Sequence, residues 1–144
     1  MKIYNQVNNE DIRKASLIVM KHFLDKEFLD RVEAVDRFNY TEHSPLEVSL
    51  RLKAVVPFLE IYIKPYKTLN PFSRVIGYAQ SNTIFVNTRK IDLPYYERVE
   101  NIAHETLHLC GYKHRGNYVN AFNLKTVPYM VGSIFKNYVV DIYR

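Results

Sequence analysis

The sequence predicts a single α+β domain, with a small mixed sheet, a long buried helix packed on it and a further helix at the C-terminal end. Three observations carry that expectation. The chain has 144 residues with no repeat, low-complexity tract or Pro/Gly/Ser-rich linker, so one domain spans residues 1–144. Short β-branched and aromatic runs occupy its middle third, bounded by prolines and polar turns. Segments with helical spacing of apolar residues flank those runs and carry helix start and stop signals.

In chain order, Ile12, Ala15, Leu17, Val19, Met20, Phe23, Leu24 and Phe28 recur at mostly helical intervals, which predicts one amphipathic helix from about Asn9 to Asp30. Ser44-Pro45-Leu46-Glu47 combines a capping serine, a proline at the first helical position and a glutamate placed to close a capping box, so a second helix starts there and ends before Pro57. Phe58 to Ile63 reads as a strand that Pro65 terminates. Arg74–Ala79 and Thr83–Asn87 flank Gln80-Ser81-Asn82, a turn signal, and predict a hairpin or neighbouring strands. Pro94 opens a helix over Tyr95–Cys110, buried through Val99, Ile102, Ala103, Leu107 and Leu109, and Gly111 stands where it would stop. A polar loop follows to about Thr126, then Val127-Pro128-Tyr129-Met130 as a turn. The segment Val131–Tyr143 reads as the last helix.

Composition narrows the function classes. Apolar residues are 47% of the chain and charged ones 24%, which supports a folded core rather than a disordered segment. The net charge of +5 favours acidic partners mildly, but Lys and Arg are scattered and form no basic run, so no specific nucleic-acid binding is expected. Cys110 is the one cysteine, so no disulfide can form within the chain and a disulfide-stapled secreted fold is excluded. No apolar run approaches a membrane span, and the first residues lack the apolar core of a signal peptide, so the expectation is a cytoplasmic protein without membrane association.

Residues 104–114, HETLHLCGYKH, fit the pattern H-E-x-x-H-x-x-G-x-x-H at every fixed position. Chance would place that pattern in a shuffled chain of this composition about once in 100,000 times. The spacing has a physical meaning. Residues four apart project from one helix face, so His104 and His108 can turn ring nitrogens to one ion. Glu105 lies roughly 100 degrees round the helix, beside that ion rather than on it. Gly111 can take the left-handed conformation that ends a helix, which lets His114 approach from another side as the third ligand. Three imidazoles with one open position suit catalytic rather than structural zinc, one Zn2+ per chain, with Glu105 as general base towards a zinc-activated water.

At these residues the sequence resembles the metzincin clan of zinc peptidases, through the extended signature HETLHLCGYKH and a methionine in VPYMVG that is similar to the clan's methionine turn. The resemblance implies a metzincin-like domain that hydrolyses peptide bonds in a peptide or protein substrate. It places Met130 beneath the metal as structural support and gives Gly77 and Ala79 a substrate-binding edge strand. Many metzincins have a tyrosine two residues after the turn methionine, where this chain has Gly132. Tyr129 and Tyr112 are the substitutes for an oxyanion donor. Cys110, on the far side of the helix from the ligands, is expected to be a buried, inert thiol. His22 and His43 lie far off in sequence and are expected to have no partners there, and Glu100 and Asn101 read as exposed polar positions. The rival expectation is a non-catalytic zinc-stabilised module that binds a protein or nucleic-acid partner, a class that usually uses four protein ligands and needs no Glu105.

Overall fold

The computed structural model describes residues 1–90 and 92–144. The four described strands form one sheet in the order β1-β2-β4-β3, with β1 (Lys2–Asn5), β2 (Glu60–Tyr66) and β4 (Thr83–Asn87) parallel and β3 (Gly77–Gln80) antiparallel at the edge. The expected α+β class and mixed sheet are therefore present. The hairpin of β3 and β4 turns through Ser81, whose φ of 56° is the left-handed geometry such tight connections use. Pro65 does not end β2. Ile63 already turns its carbonyl to the β1 side, where it accepts from Gln6, so Pro65, two residues on, lacks its N–H where β1 has run out.

Asn9 caps α1 (Glu10–His22) by accepting from the Ile12 N–H, and acidic residues in its first turn and basic ones in its last suit the helix dipole. The single helix expected to Asp30 is two: α2 (Lys26–Glu33) follows a break at Phe23–Asp25. A tertiary network imposes that break. The Asp25 carboxylate takes hydrogen bonds from His22 Nδ1 at 2.6 Å and the Tyr138 hydroxyl at 2.6 Å, so its side chain is committed to the C-terminal helix. His22 Nε2 also meets the Tyr143 hydroxyl at 2.9 Å, which corrects the reading of His22 as partnerless. Helix α3 (Pro45–Val55) has the expected capping box, Ser44 and Glu47 bonding to one another's main-chain N–H groups.

Helix α4 (Tyr95–Leu109) packs on β3, against α1 and against α5 (Val127–Ile142). The segment Val127–Met130, read above as a turn, is the first turn of α5, with Thr126 before it and Pro128 where the missing N–H costs nothing. Glu100 and Asn101 are half-buried: Lys136 of α5 pairs with Glu100, and the Asn101 amide oxygen is buried without a partner.

The helices cover one face of the sheet. Ile61, Ile63, Ile84 and Val86 join the apolar cluster there, while alternation turns Tyr62, Lys64, Tyr66, Phe85 and Tyr78 to the other face. On that outer face Tyr4 stacks on Tyr62 and Tyr78 on Phe85, with ring centroids 5.2 and 4.8 Å apart. Away from the sheet, Phe23, Phe28 and Phe135 pack as a triangle with centroids 5.0 to 5.4 Å apart, joining α1, α2 and α5. Phe28→Ala should destabilise the fold by about 3–5 kcal/mol through lost burial and the cavity left behind. Denaturant unfolding measures it, and a loss under about 1 kcal/mol would mean that the triangle is dispensable.

Candidate metal centre

Helix α4 ends as its sequence suggested. Gly111 takes a φ of +99°, its N–H reaches the His108 carbonyl at 3.0 Å, and the Tyr112 N–H reaches the Leu107 carbonyl at 3.1 Å. Glycine is the residue that enters this conformation at no steric cost. The turn reverses the chain so that His114 comes back over the last turns of α4. Its Nε2 then stands 3.2 Å from His104 Nε2 and 3.1 Å from His108 Nε2. These three residues can hold a metal ion.

The hydrogen bonds on the far sides of the rings decide what the near sides offer. His108 Nδ1 meets the Tyr112 carbonyl at 2.7 Å, and His114 Nδ1 meets the Gly116 carbonyl at 2.6 Å. His104, with Nε2 facing His114, has the Pro128 carbonyl at the start of α5 near enough to favour a ring proton on that side. A carbonyl can only accept, so a ring nitrogen bonded to one donates its proton, and in a neutral imidazole that leaves the opposite Nε2 as a bare lone pair. Two Nε2 atoms in that state cannot hydrogen-bond to one another. Three lone pairs aimed at one point repel unless a cation stands between them, which is the donor chemistry of a metal site.

Electrostatics agree. Burial, and then the neighbouring His108 and His114, lower the His104 pKa to about 3, and burial lowers that of His108, so both rings stay neutral and ready to ligate. Glu105, 5% exposed, is raised to about 8 by burial, against a hydrogen bond from the Ala79 main-chain N–H that acts the other way. Tyr129 lays its ring against His104 and His114, at centroid distances of 4.5 and 4.7 Å. Burial, and secondarily the Glu105 charge, raise the Tyr129 hydroxyl pKa, which keeps it a proton donor at neutral pH.

The other residues singled out in the sequence fall on both sides of the site. Ala79 and Gly77 sit on the edge strand: the Asn87 N–H bonds the Ile76 carbonyl at 2.8 Å, so Tyr78 and Gln80 also turn their main-chain groups to β4, and Gly77 and Ala79 turn theirs outward. A side chain at position 77 would press its Cβ to 2.6 Å from the Phe85 carbonyl, so glycine there lets β3 and β4 approach. Tyr112 turns its hydroxyl away from the three imidazoles. Its hydroxyl is held by His43 Nδ1 at 2.9 Å, which removes it as an oxyanion donor and gives His43 the partner that the sequence did not reveal. Met130 is half-buried and lines a cleft with Val35 and Ile134, whereas Gly132 is the residue that α5 sets against His104, where an added Cβ would stand 3.5 Å from His104 Cβ. Cys110 is buried, its thiol is pushed up to about 12 by burial, and Arg51 Nε donates to its carbonyl at 2.7 Å.

Pro128 and Gly116 were missed, and Tyr112 was singled out for its hydroxyl instead, because all three face the histidines through carbonyls, which leave no trace in residue type.

Protonation gives the metal-free fold a distinctive pH response. Glu105 binds its proton more tightly folded than unfolded, so the stability it contributes is full below pH 4.5 and is lost as pH rises towards 8. His104 binds its proton less tightly folded, so stability falls as pH drops from 6.5 towards 3. Between pH 6.5 and 8 only the Glu105 slope remains of the two. Chelator-treated protein should therefore melt at lower temperature at pH 8 than at pH 6.5, and Glu105→Gln, neutral throughout, should remove that fall. An undiminished fall in the variant would assign it to another group.

No family model, curated protein or solved structure matches this chain, so its chemistry is read from the three imidazoles, Glu105 and the edge strand themselves.

Proposed function

We propose that this chain is a zinc-dependent peptidase that hydrolyses peptide bonds, with His104, His108 and His114 as ligands and Glu105 as general base. The observation that carries the reading is a buried carboxyl group one residue from a ligand, beside three convergent imidazoles and facing the free edge of a sheet. The donor set suits zinc: nitrogens at roughly 2.0 to 2.1 Å from a tetrahedral ion stand about 3.3 Å apart, close to the 3.1 and 3.2 Å found. When bound there, zinc acidifies a water and polarises the scissile carbonyl.

The chain's own residues supply the rest. The outward main-chain groups of Gly77 and Ala79 bind an extended peptide as an added strand. As the substrate takes the Ala79 N–H, Glu105 is released from it to accept the proton of the attacking water and pass it to the leaving amine. The Tyr129 hydroxyl, kept protonated by its surroundings, donates to the oxygen that gains charge. A cleft of about 590 Å³ beside Tyr129, lined mainly by apolar side chains such as Val35, Leu124, Met130 and Ile134 with Asp36 among them, receives an apolar substrate side chain. The resemblance of HETLHLCGYKH to the metzincin signature supports the same assignment.

Glu105→Gln separates this reading from a zinc-stabilised binding module. It keeps the side chain's size and leaves the ligands untouched, so zinc content should match the parent while turnover of a peptide library falls about a hundredfold to ten-thousandfold. Equal cleavage by parent and variant would remove Glu105 from the mechanism. A fourth protein ligand in the zinc-loaded protein would favour the binding module.

A further inference from the structure

The third ligand is the one that no long helix or strand carries, because His114 sits on the loop 111–126. Its orientation depends on the Gly116 carbonyl, and that carbonyl depends on whatever holds residues 115–118. One side chain does so. Asn123 is fully buried, its Oδ1 accepts from the Arg115 N–H at 2.9 Å, and its Nδ2 donates to the Arg115 carbonyl at 2.6 Å and the Tyr118 carbonyl at 2.7 Å. The amide thus uses an acceptor and both donor hydrogens on main-chain groups that flank Gly116 on either side. Its own main chain is fixed as well. Asn120 Oδ1 accepts the Asn123 N–H at 2.8 Å, and Thr126 donates both its N–H, at 3.0 Å, and its hydroxyl, at 2.6 Å, to the Asn123 carbonyl. Thr126 begins α5, whose Pro128 carbonyl orients His104. A single residue, through its side-chain amide on one side and its main-chain carbonyl on the other, therefore ties the carbonyl behind His114 to the helix that supplies the carbonyl behind His104.

From this geometry we infer that Asn123 is a positioning residue of the metal centre: it holds the loop in the one conformation that presents His114 Nε2 to the ion. The inference rests on the metal-centre reading above. Asn39, whose Nδ2 donates to the Phe122 carbonyl at 3.1 Å, braces the same turn without touching residues 115–118 and serves as the control.

Zinc affinity, measured by chelator competition on the full chain, should fall about tenfold to a hundredfold in Asn123→Ala and stay within a factor of two of the parent in Asn39→Ala, the former being the usual effect of removing an outer-sphere partner. Nitrogen-15 imidazole spectra of the zinc-loaded protein supply a readout that general destabilisation would not move. The protected Nδ1 proton of His114 should be lost in Asn123→Ala while that of His108 persists. Parent-like affinity in Asn123→Ala, or equal losses in the two variants with both imidazole signals intact, overturns the inference. Should Asn123→Ala lack the parent's metal-free circular dichroism, Asn120→Ala, which frees only the Asn123 N–H, takes its place. A threefold to tenfold loss is then expected, and parent-like affinity overturns the role. A parent protein that takes up no zinc overturns the metal reading itself, apart from anything Asn123 does.

Discussion

Main-chain carbonyls placed behind three histidine rings govern this site. Each fixes a tautomer and a ring plane at once, so the opposite nitrogen is left with a lone pair in a set direction. The carbonyls come from three places in the chain: the glycine turn that ends α4, the loop behind His114 and the first turn of α5. The fold can be understood as the device that brings those three together. Helix α4 must end where it does for Tyr112 to stand behind His108, and α5 must lie close across α4 for Pro128 to reach His104. Gly132 lies at that crossing, where even an added Cβ would meet the His104 backbone only at ordinary van der Waals distance.

Glu105 is under a different constraint. It lies on the buried side of α4, where a carboxyl group is costly to ionise, and the one compensating contact identified is an edge-strand N–H. Burial that would be a liability in a structural helix is useful in a base, because it lifts the group's pKa from the ordinary carboxylate range towards neutrality. The same burial keeps His104 and His108 neutral. One environment therefore pushes the acid up and the bases down: without an ion the two histidines are neutral and ready to ligate while Glu105 holds its proton at neutral pH, and a cation bound beside it would favour the ionised, basic form.

The parts legible in the sequence were those with local causes. The capping box at Ser44, the proline before α4, the glycine after it and the i, i+4 histidines are each settled within a few residues, and the structure has the elements where those signals put them. What the sequence did not disclose has non-local causes. The break between α1 and α2 follows from Asp25 being claimed by Tyr138, over a hundred residues away. Strand β1 is four residues long and is recognisable only by its pairing with β2. Tyr112 resembled a site residue by proximity, yet its ring is turned to His43 while its carbonyl serves the metal ligand. Asn123 looked like any polar loop residue, because nothing in an asparagine's neighbours along the chain reveals that its amide will be buried.

The bond between Glu105 and Ala79 bears on more than acid–base chemistry. A sheet edge with free main-chain groups is a template on which another chain can pair, and β3 is such an edge, short and carrying no charged side chain. With the cleft empty, the carboxyl group caps one of the edge's outward donors, so the strand is partly satisfied from within its own molecule. A stray strand must displace a buried acid to dock, whereas a ligand that also engages the metal gains enough to do so. The same carboxyl group would then make that edge less inviting to a second copy of the chain.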